Sequence, residues 1–139
     1  MVVALAPTVD LDRAGGKVAK KTVLVVEDDQ PLSELLVLLL ETEGYVTVAA
    51  RDGKSAVELA GQLRPSVITL DLGLPVMTGQ RVLDELAAGE ATQHIPVVVL
   101  SSDVDGLRPT RQVRHVLVKP LGISQLVEAV KASLTDDVA

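Results

Sequence analysis

A chain of 139 residues, 47% of them hydrophobic, can bury one sizeable core and makes no more than one domain of ordinary size. Its net charge of −6 lacks the basic face that a nucleic-acid footprint needs, and its longest apolar stretch is far short of a membrane span, so neither nucleic acid nor a membrane is an expected partner. Cysteine is absent, which removes disulfides, thiolate metal sites and thiol nucleophiles and agrees with a cytoplasmic location; with Tyr45 the sole aromatic residue, the core must be built from Val, Leu, Ile and Ala.

The first twenty residues differ in character from the remainder of the chain. Met1 to Ala6 is apolar but has no basic leader and is cut off by Pro7 and Asp10, which argues against a signal peptide, and Ala14-Gly15-Gly16-Lys17 reads as a flexible lead-in. From Thr22 onward, strand-like runs and helix-like segments alternate. Thr22-Val23-Leu24-Val25-Val26 is a buried strand; residues 31–43 carry leucines at spacings that give a wide apolar helical face, closed by Gly44. Residues 45–49 form a short strand. Asp52 caps a helix that must stop before Pro65. The run Val67-Ile68-Thr69-Leu70 leads to Asp71; Pro75 and Gly79 punctuate a loop, and Thr78 caps the next helix, whose buried face is Val82, Leu83 and Leu86. Two more runs, Pro96-Val97-Val98-Val99-Leu100 and Val116-Leu117-Val118, precede a last helix with Ser124 as its expected cap. Five strands with intervening helices, and no internal repeat or second domain, predict an α/β fold with a doubly wound parallel sheet.

Chemistry collects at the strand ends. Glu27 and Asp28 close the first run and Asp71 closes the third, so neighbouring parallel strands would bring three acids into one cavity beyond the sheet, where such folds bind ligands. Carboxylates packed that closely repel, and a cation or a chemical task must hold them. Ser101 and Ser102 close the fourth run and Lys119-Pro120 the fifth. Acids, a hydroxyl and a lysine together suit a phosphate-and-magnesium site. Singly, each has an ordinary reading: Glu27 and Asp28 as acids at a helix N-terminus, Asp71 as a turn residue, Ser101 as a loop start, Lys119 as a surface residue. Their coincidence at one sheet edge favours function. His94 and His115 have no metal-ligand spacing to the acids.

In chain order, Val25-Val26-Glu27-Asp28-Asp29, Leu70-Asp71-Leu72-Gly73-Leu74-Pro75-Val76-Met77-Thr78-Gly79, Val99-Leu100-Ser101-Ser102 and Val118-Lys119-Pro120 resemble the receiver domain of two-component response regulators, over about residues 21–134. The resemblance implies a flavodoxin-like fold with strand order 2-1-3-4-5 and Asp71 as phosphoacceptor. It also implies Mg²⁺, with Mn²⁺ as a substitute, held by Asp28, Asp71 and the backbone carbonyl of Gly73, with Glu27 acting through a metal-bound water. Ser101 would bond a phosphoryl oxygen, Lys119 would pair with Asp71, and the Lys119-Pro120 bond would be cis. A carboxylate is already ionised at neutral pH and needs no general base to attack phosphorus; charge neutralisation and in-line placement are what the reaction requires.

Two departures stand out. Val116 occupies a position that is often aromatic in receivers, and the Ser101–Lys119 interval is about one helical turn short and contains Asp105-Gly106 and Pro109, so the usual fourth helix is expected to be shortened or missing. The reading is a stand-alone receiver with residues 1–20 as a flexible extension, 21–135 as the domain and 136–139 as a tail. It takes its phosphoryl group from a histidine kinase or phosphotransfer protein and signals through a protein partner, as a monomer or weak dimer. It is a switch and not a turnover enzyme. Alternatives are a phosphohydrolase of the haloacid dehalogenase type and a pseudo-receiver that only binds. Because the sheet is expected to begin at Thr22, deleting residues 1–19 should leave the urea unfolding transition cooperative and nearly unshifted; a loss of more than a few kcal/mol would show that the extension packs as a structural element.

Overall fold

The computed structural model describes residues 9–11, 17–75, 77–120 and 122–135. The central element is a five-stranded parallel sheet built from β3 (Thr22–Val26), β4 (Val46–Ala50), β5 (Val67–Asp71), β6 (Val97–Ser101) and β7 (Val113–Val118), in the spatial order β4-β3-β5-β6-β7. That is the order 2-1-3-4-5 of the sheet's own strands. Helices α1 (Gln30–Thr42) and α4 (Ile123–Thr135) pack on one face; α2 (Gly53–Leu63) and α3 (Gly79–Ala88) pack on the other. Within the expected extension, β1 (Val9–Leu11) and β2 (Lys17–Ala19) pair antiparallel as a separate two-stranded sheet. The rest of that segment and the expected tail, 136–139, lie outside the described residues.

Burial explains why the strands read as continuous apolar runs. Every residue of β3, β5 and β6 is buried, because helices cover both sides of the inner sheet. Alternate residues feed two cores. Leu24, Val26, Ile68, Leu70, Val97 and Val99 meet α2 and α3, while Val23, Val25, Val67, Val98 and Leu100 meet α1 and α4. A fully buried aliphatic side chain contributes about 1.5–3 kcal/mol, so these runs supply the main force that carries the polar residues at their ends into place.

Caps set the helix starts. Asp52 and Thr78 cap α2 and α3 as expected, accepting from the Ser55 and Arg81 amides, and Asp29 caps α1 by accepting from the Leu32 amide. Ser124 does not cap the last helix. α4 begins at Ile123, so Ser124 falls inside its first turn, and the Gln125 side chain instead accepts from the Gly122 amide. β7 begins at Val113, earlier than the Val116 expected, because an edge strand alternates polar and apolar residues and Arg114 and His115 interrupt the apolar run.

Between β6 and β7, residues 102–112 contain no helix. This loop is tied down at three points. Ser101 and Asp103 exchange hydrogen bonds at its start. The Gln80 side chain of α3 accepts from the Arg108 amide and donates to the Arg108 carbonyl, each at 2.9 Å. At its end, buried Gln112 donates to the Thr92 and Ile95 carbonyls at 2.7 and 2.9 Å. Gln112→Met keeps the volume but takes the side-chain donor from the Ile95 carbonyl and leaves the Thr92 carbonyl with only the Ile95 amide, and urea unfolding should show a loss of about 1–3 kcal/mol; an unchanged midpoint would mean that the Ile95 carbonyl finds another partner.

Candidate functional site

The parallel ladder continues past the strand ends and levels the site. The Glu27 amide donates to Ala50, Leu72 to Leu100 and Lys119 to Ser101, at 2.8–3.1 Å, so residues far apart in the chain stand on one shelf. The β5–α3 loop folds back onto this shelf: the Gly79 amide donates to the Leu72 carbonyl, and a Cβ at Gly79 would collide with the Leu72 backbone. Glycine is required there by close approach.

Glu27, Asp28 and Asp71 offer carboxylate oxygens that all lie within 4.8 Å of one another. Glu27 and Asp71 are buried and Asp28 is exposed. Lys119 reaches between the two buried acids, with Nζ at 3.4 Å from Glu27 Oε1 and 3.4 Å from Asp71 Oδ1. The second Glu27 oxygen accepts from the Asp29 amide, and Asp71 Oδ1 accepts from the Gly73 amide at 3.0 Å. The Lys119-Pro120 bond is cis.

Charge is not balanced by the lysine. Burial, reinforced by a hydrogen bond and repulsion from Asp71, pushes the Glu27 carboxyl up to about 7 despite the Asp29 amide and Lys119. Burial works to lower the Lys119 ammonium, yet Glu27 and Asp71 outweigh it and hold its pKa above the ordinary value. Three hard oxygen donors with one compensating ammonium fit a hard divalent cation of the Mg²⁺ or Mn²⁺ kind.

Of the residues expected from sequence, Glu27, Asp28, Asp71 and Lys119 come together, and Gly73 lies directly beside Asp71 through its amide. Ser101 is on the same shelf, but its hydroxyl is engaged by Asp103, donating to the carbonyl and accepting from the amide at 3.1 Å. Glu27 as a direct partner of Lys119 was not foreseen; 92 residues separate them, and only the strand order reveals the contact. The Gln80 clasp on Arg108 likewise has no signature in local sequence. Arg108 is turned toward Asp84 at 3.7 Å, whereas Arg111 and Arg114 are exposed and make no ion pair among the described residues.

Comparison with known proteins now gives the site its family. Residues 23–131 match the response regulator receiver domain, and the chain belongs to that family. It is 31% identical over 121 residues to the polar-differentiation response regulator DivK of Brucella anthropi, an alignment that covers 84% of this chain and 98% of DivK. Among solved structures, it superposes with a TM-score of 0.76 on the receiver domain of the Pseudomonas aeruginosa sensor histidine kinase PA1611, described with a magnesium ion coordinated in its active-site cleft, at 23% identity over 84% of this chain and 99% of the other. The response regulator TrrA of Thermotoga maritima, in complex with Mg²⁺ and BeF, gives 0.74 at 25% identity over 82% and 99%. The haloacid dehalogenase alternative needs a second aspartate two residues after the acceptor; that position is Gly73. Among the described residues, no helix is long and apolar enough to cross a membrane.

The raised Glu27 value has a measurable consequence. In the metal-free protein, the folded state holds a proton on Glu27 between about 4.5 and about 7 that the unfolded state has released, so stability falls as pH rises through that window. Urea midpoints in chelator should therefore drop between pH 5 and pH 8, the drop should vanish in Glu27→Gln, and millimolar Mg²⁺ should offset it. A midpoint that rises across this window in chelator would contradict the assignment.

Proposed function

We propose that this chain is a phosphoacceptor switch: Asp71 takes a phosphoryl group from the phosphohistidine of a sensor kinase or phosphotransfer protein, and the phosphorylated form is read by another protein. The observation that carries the reading is the cluster of Glu27, Asp28 and Asp71 with Lys119 between the two buried acids, at the strand ends of a receiver-family fold. An Asp71 carboxylate oxygen attacks phosphorus, a P–O bond forms as the P–N bond breaks, and the departing imidazole keeps the electron pair and takes a proton from solvent. Water attack on the acyl phosphate later returns inorganic phosphate and free Asp71.

Bound Mg²⁺, or Mn²⁺ in its place, supplies the positive charge that lets an anionic phosphoryl group approach these carboxylates. Asp28, Asp71 and the Gly73 carbonyl would hold it, with Glu27 acting through a bound water. The chain's own residues do the rest. The Gly73 amide fixes one Asp71 oxygen and leaves the other to attack. Lys119 is shared between Glu27 and Asp71, and can transfer its contact to a phosphoryl oxygen as the acceptor's charge is spread. The Ser101 hydroxyl must leave Asp103 to bond the phosphoryl group, and that exchange links chemistry to the loop at residues 102–112. The chain works as a cytoplasmic switch, monomeric or weakly dimeric, and not as a turnover enzyme.

Incubation with acetyl phosphate and Mg²⁺, followed by intact mass and peptide mapping, tests this. One phosphoryl group should map to Asp71, require the divalent cation, and vanish in Asp71→Asn while the fold persists. Asp28→Ala should remove most of the cation dependence of both labelling and melting; saturating Mg²⁺ at a hundredfold excess over its dissociation constant stabilises the parent by about 2.7 kcal/mol. Phosphate on another residue would overturn the assignment.

A further inference from the structure

At the end of the sheet opposite the carboxylates, the α3–β6 connection and the start of β7 form an open cavity of about 320 Å³, lined by Gln93, His94, Arg111, Gln112 and Arg114. Val97, the first residue of β6, adjoins it: its amide donates to the Gln112 carbonyl at 2.8 Å. From Val97 to Ser101 the strand rises roughly 13 Å, at about 3.3 Å per residue. The cavity is therefore separate from the shelf that holds Asp71.

Two features build its walls. The β6–β7 ladder pairs Val97 with Val113 but Val98 with His115, so Arg114 has no ladder partner. Val113 packs against the core under α2 and α3, and Val116 pairs with Val99 of that same core, although three residues separate the two. An extra residue in the strand makes this possible and takes Arg114 out of the alternation, to line the same cavity as Arg111. The second feature is Gln112, which is 4% exposed. Its Nε2 is spent on the Thr92 and Ile95 carbonyls at 2.7 and 2.9 Å, which ties the two walls together. Its Oε1 is buried and has no hydrogen-bond partner among the described residues. A buried acceptor of this kind calls for a donor from outside the chain.

We propose that this cavity binds a phosphate-bearing small molecule. Each guanidinium presents a planar fork of N–H donors that matches phosphate oxygens. Arg111 and Arg114 are exposed and make no ion pair among the described residues, and Glu90, the acid on the α3–β6 connection, pairs with neither. A phosphomonoester carries a charge of about −1.5 to −2 near neutral pH, which answers both arginines. A lone carboxylate answers one. Gln93 and His94 supply further donors at the opposite wall, and a ligand hydroxyl is the donor that Gln112 Oε1 lacks. The volume stands at the lower end of the roughly 300–1,000 Å³ of ligand pockets, which suits a compact metabolite. A nucleic-acid chain is disfavoured by the net charge of −6. None of this depends on the phosphoacceptor reading.

Inorganic phosphate and AMP are the probes, with acetate as the control, each titrated into the full chain in chelator at about 0.15 M salt and followed by ¹H–¹⁵N spectra. Both phosphates should shift the Arg111 and Arg114 Nε–H and the Gln112 side-chain amide signals saturably, and acetate should not. Tighter binding of AMP would support an organic phosphate as the ligand, and equal affinity would support phosphate itself. R111A/R114A should weaken binding by about tenfold or more, with R111K/R114K falling between it and the parent because charge remains and the fork is lost. Q93A/H94A tests the opposite wall and should weaken binding severalfold. All three variants should melt like the parent without probe, and Asp71→Asn should bind as the parent does, which separates this cavity from the carboxylate site. No saturable shift, an equal response to acetate, unchanged affinity in R111A/R114A, or shifts centred on residues 71–73 would each overturn the proposal.

Discussion

Mutual repulsion of carboxylates at the ends of parallel strands is the constraint on which the site depends. Two unit charges about 4 Å apart interact with about 4 kcal/mol at an effective dielectric of 20, and Glu27, Asp28 and Asp71 lie within 4.8 Å of one another with one lysine reaching the two buried members. The folded chain meets this cost by burying β3, β5 and β6 completely, so that Asp71 ends a buried strand and Glu27 directly follows one. What the protein does not neutralise remains as an affinity for cations; the raised Glu27 value reflects burial first, with a hydrogen bond to Asp71 and repulsion from it adding to the shift. Activity and strain therefore have the same source: a site balanced by its own residues would have little need of a divalent cation.

The same sheet is unequal from side to side. Its interior strands are sealed on both faces, and β7 is sealed on one. A loop takes the place of the missing crossover helix and is held to α3 by the Gln80–Arg108 pair and to the β6 entry by Gln112. Ser101 begins that loop, so the hydroxyl proposed to bond the phosphoryl group and the first turn of the loop share one hydrogen-bonding arrangement. Ser101 is also the ladder partner of Val118, at the exposed end of β7.

Much of this was legible in the sequence, for identifiable reasons. Strands covered on both faces leave continuous runs such as Thr22–Val26, and residues at their ends are the candidates for chemistry; Asp52 and Thr78 announce helix starts because a side-chain oxygen there can accept an amide two or three residues on. The shortened β6–β7 interval was visible in the turn-forming Asp105-Gly106 and Pro109, and the structure has a loop where a helix was in doubt. Three things were not legible. The start of β7 was hidden because an edge strand alternates like a loop; the cap of α4 because Gln125 reaches back to Gly122; the Glu27–Lys119 contact because it exists only once the long Lys119 side chain reaches back across the ends of β6 and β5, which separate β7 from β3. The direction of the Ser101 hydroxyl belongs with these, being set by its neighbour Asp103 and not by its residue type.

The central claim is that the carboxylate cluster, Lys119 and Ser101 act as one phosphoryl-binding unit. A crystal structure of the chain with Mg²⁺ and beryllium fluoride tests it most directly. The account predicts the beryllium on Asp71, the cation in contact with Asp28, Lys119 on a fluorine, and the Ser101 hydroxyl rotated away from Asp103 toward the same group. A cation bound elsewhere, or fluoride on Asp71 with Ser101 still bonded to Asp103, would contradict it.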